Sequence, residues 1–390
     1  MDILYISPEF PPNYIHFVRH AHALGARVWA IGEAEFFSMP AEVRAWIRWY
    51  VRTDLGNWRQ AAHAVDELLE AKHALGFEGA FDLVESHNEN WLRLEAIINE
   101  RFGIPGIRLA ETDPIKKKSL MKRVFRNLGL PVARGGPVAD LDEALQLADE
   151  LGYPVILKPD EGVGAGGTYR VGSRPELENL FPDLAPGYVL EEFIDAPIIT
   201  YDGLTDREGR ILFENSLVYG EGLIEYTLGT DTFFYTSRRI PEGLSEIGAS
   251  LVAAFNIRRK FFHFEFFARP GEYVPMEINS RPPGGAILDM MNYSVDGDLY
   301  RAWACMVMGQ PVELPREKKY AVGYVGRKEK AYTLSHGEIL SRFGVFLVET
   351  AENPPVFQGI MGRIRYLFRS VNEADIPLIA AAVRQTGPAS

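Results

Sequence analysis

Residues 261–285 read FFHFEFFARPGEYVPMEINSRPPGG. Two alternating runs flank the short turn RPGE, the pattern of an antiparallel hairpin. Side chains alternate along a strand with period two, so His263 and Glu265 share one face while Phe262, Phe264 and Phe266 share the other. On the returning strand Glu277, Asn279 and Arg281 share a face and Ile278 turns to a core. Pairing across the turn lets Glu265 meet Glu277. Two carboxylates among aromatics repel each other, and each is costly to desolvate. A divalent cation resolves that conflict. Oxygen ligands suit Mg²⁺, and Asn279 adds another oxygen. Arg281 at the strand end can then hold a phosphate, and Pro-Pro-Gly-Gly bends the chain around the site. The plain alternative is an exposed hairpin with salt bridges.

A second stretch, VILKPDEGVGAGGTYRV (155–171), places Lys158 at the end of a strand and at the lip of a glycine-rich loop. Gly162, Gly164, Gly166 and Gly167 let the backbone approach a ligand and offer N–H groups to phosphate oxygens. GxxxxGK[ST] is absent, so this is not a P-loop. A flexible hairpin turn is the alternative reading.

The chain around these stretches has 390 residues, 47% hydrophobic and 12% aromatic, enough to bury cores in two or three domains. With 41 Lys and Arg against 53 Asp and Glu, the net charge of −12 argues against a nucleic-acid partner bound through phosphate neutralisation. Cys305 is the only cysteine, which excludes an intrachain disulfide and a cysteine metal cluster. The start, MDILYISPEF, is unlike a signal peptide, and no apolar run has membrane-spanning length. A cytoplasmic protein is the expectation.

Strand and helix patterns alternate over the first hundred residues: strands at 3–7, 27–32 and 81–86, with helices at 14–25, 57–76 and from Asn88 to Gly103. Such alternation implies an open parallel sheet, whose strand carboxyl ends bind ligands. No GxGxxG follows the first strand. A crossing at 103–114 leads to the basic helix 116–129, then the short strand PVARGG, a helix at 140–152 and the strand ending at Lys158. Strands are expected at 187–194, 196–204, 210–218, 261–268 and 272–279, with helices near 242–256 and 297–309.

The order of these pieces resembles the ATP-grasp superfamily, the fold of D-alanine–D-alanine ligase, biotin carboxylase and carbamoyl phosphate synthetase, over roughly residues 1–310. The resemblance implies an α/β architecture in three parts. A pre-ATP-grasp domain with an open parallel sheet spans 1–105. A two-lobed ATP-grasp domain spans 106–310, with its lid at about 125–190. A small α/β region spans 311–390. It also implies roles. Lys118, eleven residues before Gly129, matches the first nucleotide lysine, with Lys116 and Lys117 read as solvated neighbours. Lys158 matches the second lysine, and Gly162 to Gly167 match the mobile phosphate loop. VLEEFI (189–194) resembles the adenine hinge: Glu191 would approach the exocyclic amine, while the backbone of Glu192, Phe193 and Ile194 brackets the base. Glu265, Glu277 and Asn279 match the ligands of Mg²⁺ (or Mn²⁺), and Arg281 the catalytic arginine. One departure is Ile198, where many relatives carry a ribose-binding glutamate.

The chemistry implied is ATP-dependent ligation. A carboxylate is activated as an acyl phosphate and joined to an amine or thiol, with an amino acid or peptide-like substrate. The alternatives are a carboxyphosphate-using carboxylase-type enzyme and a nucleotide-binding regulatory protein. Expected partners are small molecules, with no nucleic acid or membrane, and a homodimer as in many look-alikes. The acceptor site is expected between the first domain and the metal hairpin. Candidates there are Glu85, His87, Glu89, the stretch SPEFPPN (7–13), Glu225, Tyr226 and Arg238. His263, Asp289, Arg327, His336 and Arg363 have weaker claims, each with an ordinary structural reading.

Overall fold

The computed structural model describes residues 1–162, 166–315 and 317–387, so Gly164 of the expected loop lies outside the described residues. Three sheets organise the chain. The first is parallel throughout, with β1 (Asp2–Ile6), β2 (Arg27–Gly32), β3 (Ile47–Arg52) and β4 (Leu83–Glu85) in the order β3-β2-β1-β4. β1 is buried along its whole length, which explains its continuous apolar run. β3 goes unannounced in the sequence. It is the edge strand, mostly half-buried or exposed, and it leaves the helix Ala41–Trp46 without a turn, so no apolar alternation marks it.

The second sheet is antiparallel: β5 (Gly135–Val138), β6 (Val155–Pro159), β7 (Tyr169–Val171) and β8 (Tyr188–Glu192), ordered β5-β8-β6-β7. Val155, Leu157 and Leu190 on its inner face pack with Ala144 and Ala148 of the helix Leu141–Leu151. The strand expected at PVARGG starts later, at Gly135. That glycine has φ +127°, and a Cβ there would lie 2.1 Å from the Leu190 carbonyl oxygen, so the close approach of β5 to β8 requires glycine.

The third sheet has nine strands. Its path runs β14 (Glu272–Asn279), β13 (Phe261–Arg269), β9 (Ile198–Thr205), β11 (Leu217–Tyr219), β12 (Thr232–Thr236), β15 (Ala321–Arg327), β17 (Ile364–Ser370) and β16 (Leu347–Glu352), and β10 (Ile211–Asn215) pairs with β9. Residues 311–390 therefore extend the same sheet that carries the hairpin. Phe262, Phe264 and Phe266 fill its back face with Tyr201 and with Phe125 of the helix Lys118–Asn127. On the other face, Phe17 of the helix Ile15–Ala23 packs edge-on against Trp303 of the helix Leu299–Val307, 5.4 Å between ring centroids. That core also takes in Phe261 and Leu204 of the sheet, so it fixes the first domain against the hairpin.

Candidate active site

Glu265 and Glu277 are direct partners in the β13–β14 ladder, and His263 pairs with Asn279 two rungs along. All four side chains project to one face. A bulge follows Glu265, so the outer part of the hairpin runs in a shifted register while the pair itself stays aligned. Glu265 and Asn279 are buried. Burial alone would raise the Glu265 carboxyl, but the hydrogen bond and charge of His263, with the charges of Arg281 and Lys158, hold it below its usual range. Glu277 moves the other way: burial and the Glu265 charge raise it against Lys118, Lys158 and Arg281. The charges of Arg281 nearby in sequence and of Lys118 and Lys158 far from it are thus all felt at this carboxylate pair.

His263 lies between two carboxylates, its Nδ1 2.5 Å from Asp202 Oδ1 and its Nε2 3.2 Å from Glu265 Oε1. Both ring nitrogens must donate, so the ring is an imidazolium. Burial opposes that charge, but Asp202 and Glu265 prevail and lift the ring to about 9.

The three consecutive lysines separate by geometry. Lys116 donates to the Glu89 carbonyl at 3.0 Å, and Lys117 pairs with Asp113 at 3.3 Å. Lys118 is buried, its backbone N–H donating to the Asp160 carbonyl at 2.9 Å. Ser119 caps the same aspartate with its N–H and hydroxyl, both at 2.7 Å. The helix start is thereby fixed beside the loop that leaves Lys158. Gly162 and Gly166 are exposed, and Gly167 adopts φ +71° against Pro159 and Tyr188.

Glu191 is placed differently from the expectation of an adenine contact. Its buried carboxylate is gripped between Lys122 Nζ at 2.6 Å and Lys158 Nζ at 3.0 Å. Burial would raise its carboxyl, yet the two lysines hold it below its usual value. Lys122 went unread in the sequence. The signal was its position, four residues after Lys118 and so on the same helical face. Glu192 points out to Arg134 at 2.8 Å, Phe193 lies under the Arg170 guanidinium at 4.0 Å, and Ile194 packs with Ala133 and Val274. Ile198 begins β9 as a half-buried apolar residue and offers no polar group.

Of the acceptor-site candidates, Glu89 reaches the hairpin. It is buried at the start of the short 3-10 turn Glu89–Trp91 that follows β4, accepts the Ser280 N–H at 3.1 Å, and feels Lys116 and Arg281, although burial still raises its carboxyl. Glu85 is instead bound by Lys260 at 2.7 Å in a buried cluster with Glu95, 2.9 Å from the same ammonium. His87 stacks on Phe17, ring centroids 3.7 Å apart. Ser7 and His87, at the ends of β1 and β4, both have left-handed backbones, φ 55° and 51°, strain of the kind that collects at functional sites. Asn13 of the SPEFPPN stretch donates to the Gly285 carbonyl at 3.1 Å, and Tyr300 OH donates to Asp289 at 2.8 Å. Tyr226 is buried, Arg238 donates to the Val371 carbonyl, and Glu225 lies against Gly222. Arg327 is committed to the Leu334 and Val383 carbonyls, His336 meets Tyr366 OH at 2.8 Å, and Arg363 pairs loosely with Glu352 at 3.5 Å.

Among the described residues no group of three His, Cys, Asp or Glu side chains forms a self-sufficient metal site. Glu265, Glu277 and Asn279 offer hard oxygen donors only. That set suits a cation that completes its shell with water and phosphate oxygens, as Mg²⁺ does beside a nucleotide. No helix of the described residues is long and apolar enough to cross a membrane.

The chain is similar to known proteins in sequence and in fold. Residues 117–185 match the family described as the carbamoyl-phosphate synthase L chain, ATP binding domain. The chain is 25% identical over 264 residues to an L-arginine-specific L-amino acid ligase of Bacillus subtilis, covering 63% of this chain and 64% of that protein. It is 26% identical over 197 residues to D-alanine–D-alanine ligase B of Pseudomonas putida, covering 47% of this chain and 57% of the relative. It thus spans less than two thirds of these relatives' length. The structure is similar to that of an L-amino acid ligase from Bacillus licheniformis, with TM-score 0.72, 17% identity, and 98% and 96% of the two chains covered.

Proposed function

We propose that this chain, which has the ATP-grasp fold, is an ATP-dependent ligase that activates a carboxylate as an acyl phosphate and joins it to an amine. The observation that carries this reading is the facing pair Glu265 and Glu277, whose carboxyls feel the charges of Lys118, Lys158 and Arg281. A nucleotide-binding protein without phosphoryl transfer has no need of an arginine at this strand end.

In this reading Lys118 and Lys158 hold the nucleotide phosphates. Glu265, Glu277 and Asn279 would hold Mg²⁺, which when bound neutralises phosphate charge. A substrate carboxylate oxygen attacks the γ-phosphorus, and ADP leaves. Arg281 stabilises the charge on the transferring group. The amine then attacks the acyl carbon, a C–N bond forms, phosphate departs and the amine loses a proton. Glu89, facing Ser280 and Arg281 from the first domain, stands where an incoming ammonium would be held. The similarity to amino acid ligases of two kinds supports amino acids as substrates.

The test is release of ADP and phosphate from ATP, Mg²⁺ and pairs of amino acids, with the dipeptide identified by mass. AMP with pyrophosphate would contradict the reading. ADP release that depends on bicarbonate alone would replace it with carboxyphosphate chemistry.

A further inference from the structure

A buried hydrogen-bonded chain runs from the sheet interior to Glu265. Its far end lies at the junction of β10 and β11, where the pairing of β11 with β12 ends. Ser237 N–H still donates to the Ser216 carbonyl at 2.9 Å, and beyond that point the strands diverge around a cavity of about 1150 Å³. Lys318 spans the fork, donating to Asn215 Oδ1 on one side at 2.9 Å and to the Ser237 carbonyl on the other at 2.8 Å. Asn215 Nδ2 donates to Asp202 Oδ2 at 3.2 Å, and Thr200 Oγ1 donates to the same oxygen at 2.5 Å. Asp202 Oδ1 accepts from His263 Nδ1, and His263 Nε2 reaches Glu265 Oε1. Thr200, Asp202 and Asn215 are wholly buried, and His263 nearly so.

The direction of this chain is fixed by chemistry. An ammonium only donates, so the Asn215 carbonyl oxygen faces Lys318 and its NH₂ faces Asp202. His263 bridges Asp202 Oδ1 and Glu265 Oε1 through its two ring nitrogens. Every link is committed, and the last hydrogen bond falls on one oxygen of Glu265. The other oxygen is left for a cation. A staple of the strand fork alone would end at Asn215; it would not continue through a fully buried aspartate and a buried histidine to the carboxylate opposite Glu277.

We infer that Lys318, Asn215 and Asp202 are positioning residues for Glu265, acting through His263, and that a lysine far along the chain thereby sets the affinity of the Glu265–Glu277 site for its cation. This rests on the nucleotide–metal reading above. Partners that orient metal ligands typically contribute about 10–100-fold in metal affinity.

The experiment is calorimetric titration of ADP into wild type, Lys318→Met, Lys318→Gln and Asn215→Leu, each without metal and across a Mg²⁺ series. A thermal melt of each variant establishes that it is folded before titration. The expected result is metal-free ADP affinity within about twofold of wild type, with the half-saturating Mg²⁺ concentration raised about tenfold in Lys318→Met and Asn215→Leu. Lys318→Gln, which keeps a donor, should recover part of the loss. A purely structural role would weaken both affinities together or neither. Unchanged Mg²⁺ dependence in folded Lys318→Met overturns the inference. Wild-type protein that binds ADP equally with and without Mg²⁺ overturns instead the reading it rests on.

Discussion

Glu265 and Glu277 face each other across one rung of the β13–β14 ladder, yet their carboxyls are shifted in opposite directions. His263 supports the first, while the second carries the burden of burial and of its neighbour's charge. A pair biased in this way holds one firm anion and one that gains most from an added cation.

Glu277→Gln tests that asymmetry. It should lower Mg²⁺-dependent ADP formation by more than about 100-fold, since it removes a direct ligand rather than a supporting one. It also removes like-charge repulsion, so the melting temperature should hold or rise. Steady-state kinetics and a thermal melt on one preparation check both. Full activity in the variant would dismiss the metal assignment.

Lys122→Met should destabilise the fold by about 3 kcal/mol, because Glu191 keeps its charge but loses its nearer partner. The double variant Lys122→Met/Glu191→Leu should recover much of that loss, because neither partner is left as a lone buried charge. Urea unfolding of the four members of the cycle measures the coupling. Additive losses would mean that the two side chains act independently.

Acid stability should depend on His87. Burial depresses its imidazole from the ordinary 6.5 to about 3, so the folded ring stays neutral while the unfolded ring takes up a proton. The folded pKa lies below the unfolded one. The contribution is therefore fully present above about pH 6.5 and is lost as pH falls toward 3, at about 1.4 kcal/mol per unit. Urea midpoints between pH 7 and 4 for wild type and His87→Phe should differ in slope by one proton. Parallel slopes would show that the ring protonates in place.

Gly285→Ala should cost about 1 kcal/mol, because the backbone there has φ +62°. Its Cβ would meet Met361 Cε at 3.1 Å, the end of a flexible side chain that can yield, so the loss is mainly backbone strain. A melt of the variant beside Gly284→Ala, where a Cβ has open space, isolates the conformational part. Equal melting temperatures would refute it.

The hairpin was legible because its two faces differ in kind: Phe262, Phe264 and Phe266 form the back core, while His263 and Glu265 stand on the polar side. The RPGE turn marked the reversal, and Gly271 supplies its left-handed step, φ +76°. Lys158 was legible for a similar reason, at the end of a strand and the start of a loop. β3 was not, because an edge strand needs no apolar alternation. Lys122 and Lys318 were missed because a lone lysine reads as solvated until its buried partner is known. Here the partners are Glu191 and Asn215, distant in sequence and brought close only by tertiary packing. Glu85 and His87 were named as acceptor candidates on position alone; the core claimed them through Lys260 and Phe17.

The continuity of the nine-stranded sheet limits how the molecule can be divided. β12 is covered along one side by β15, five rungs from Thr232 to Thr236. A fragment stopping near residue 310 would keep every proposed nucleotide contact but bare that row of N–H and C=O groups, in a strand reading TFFYT. Such an uncapped border invites pairing with another chain. The nucleotide half is thus no excisable module: the C-terminal strands act as its selvedge, and trimming them would yield inclusion bodies rather than a minimal enzyme.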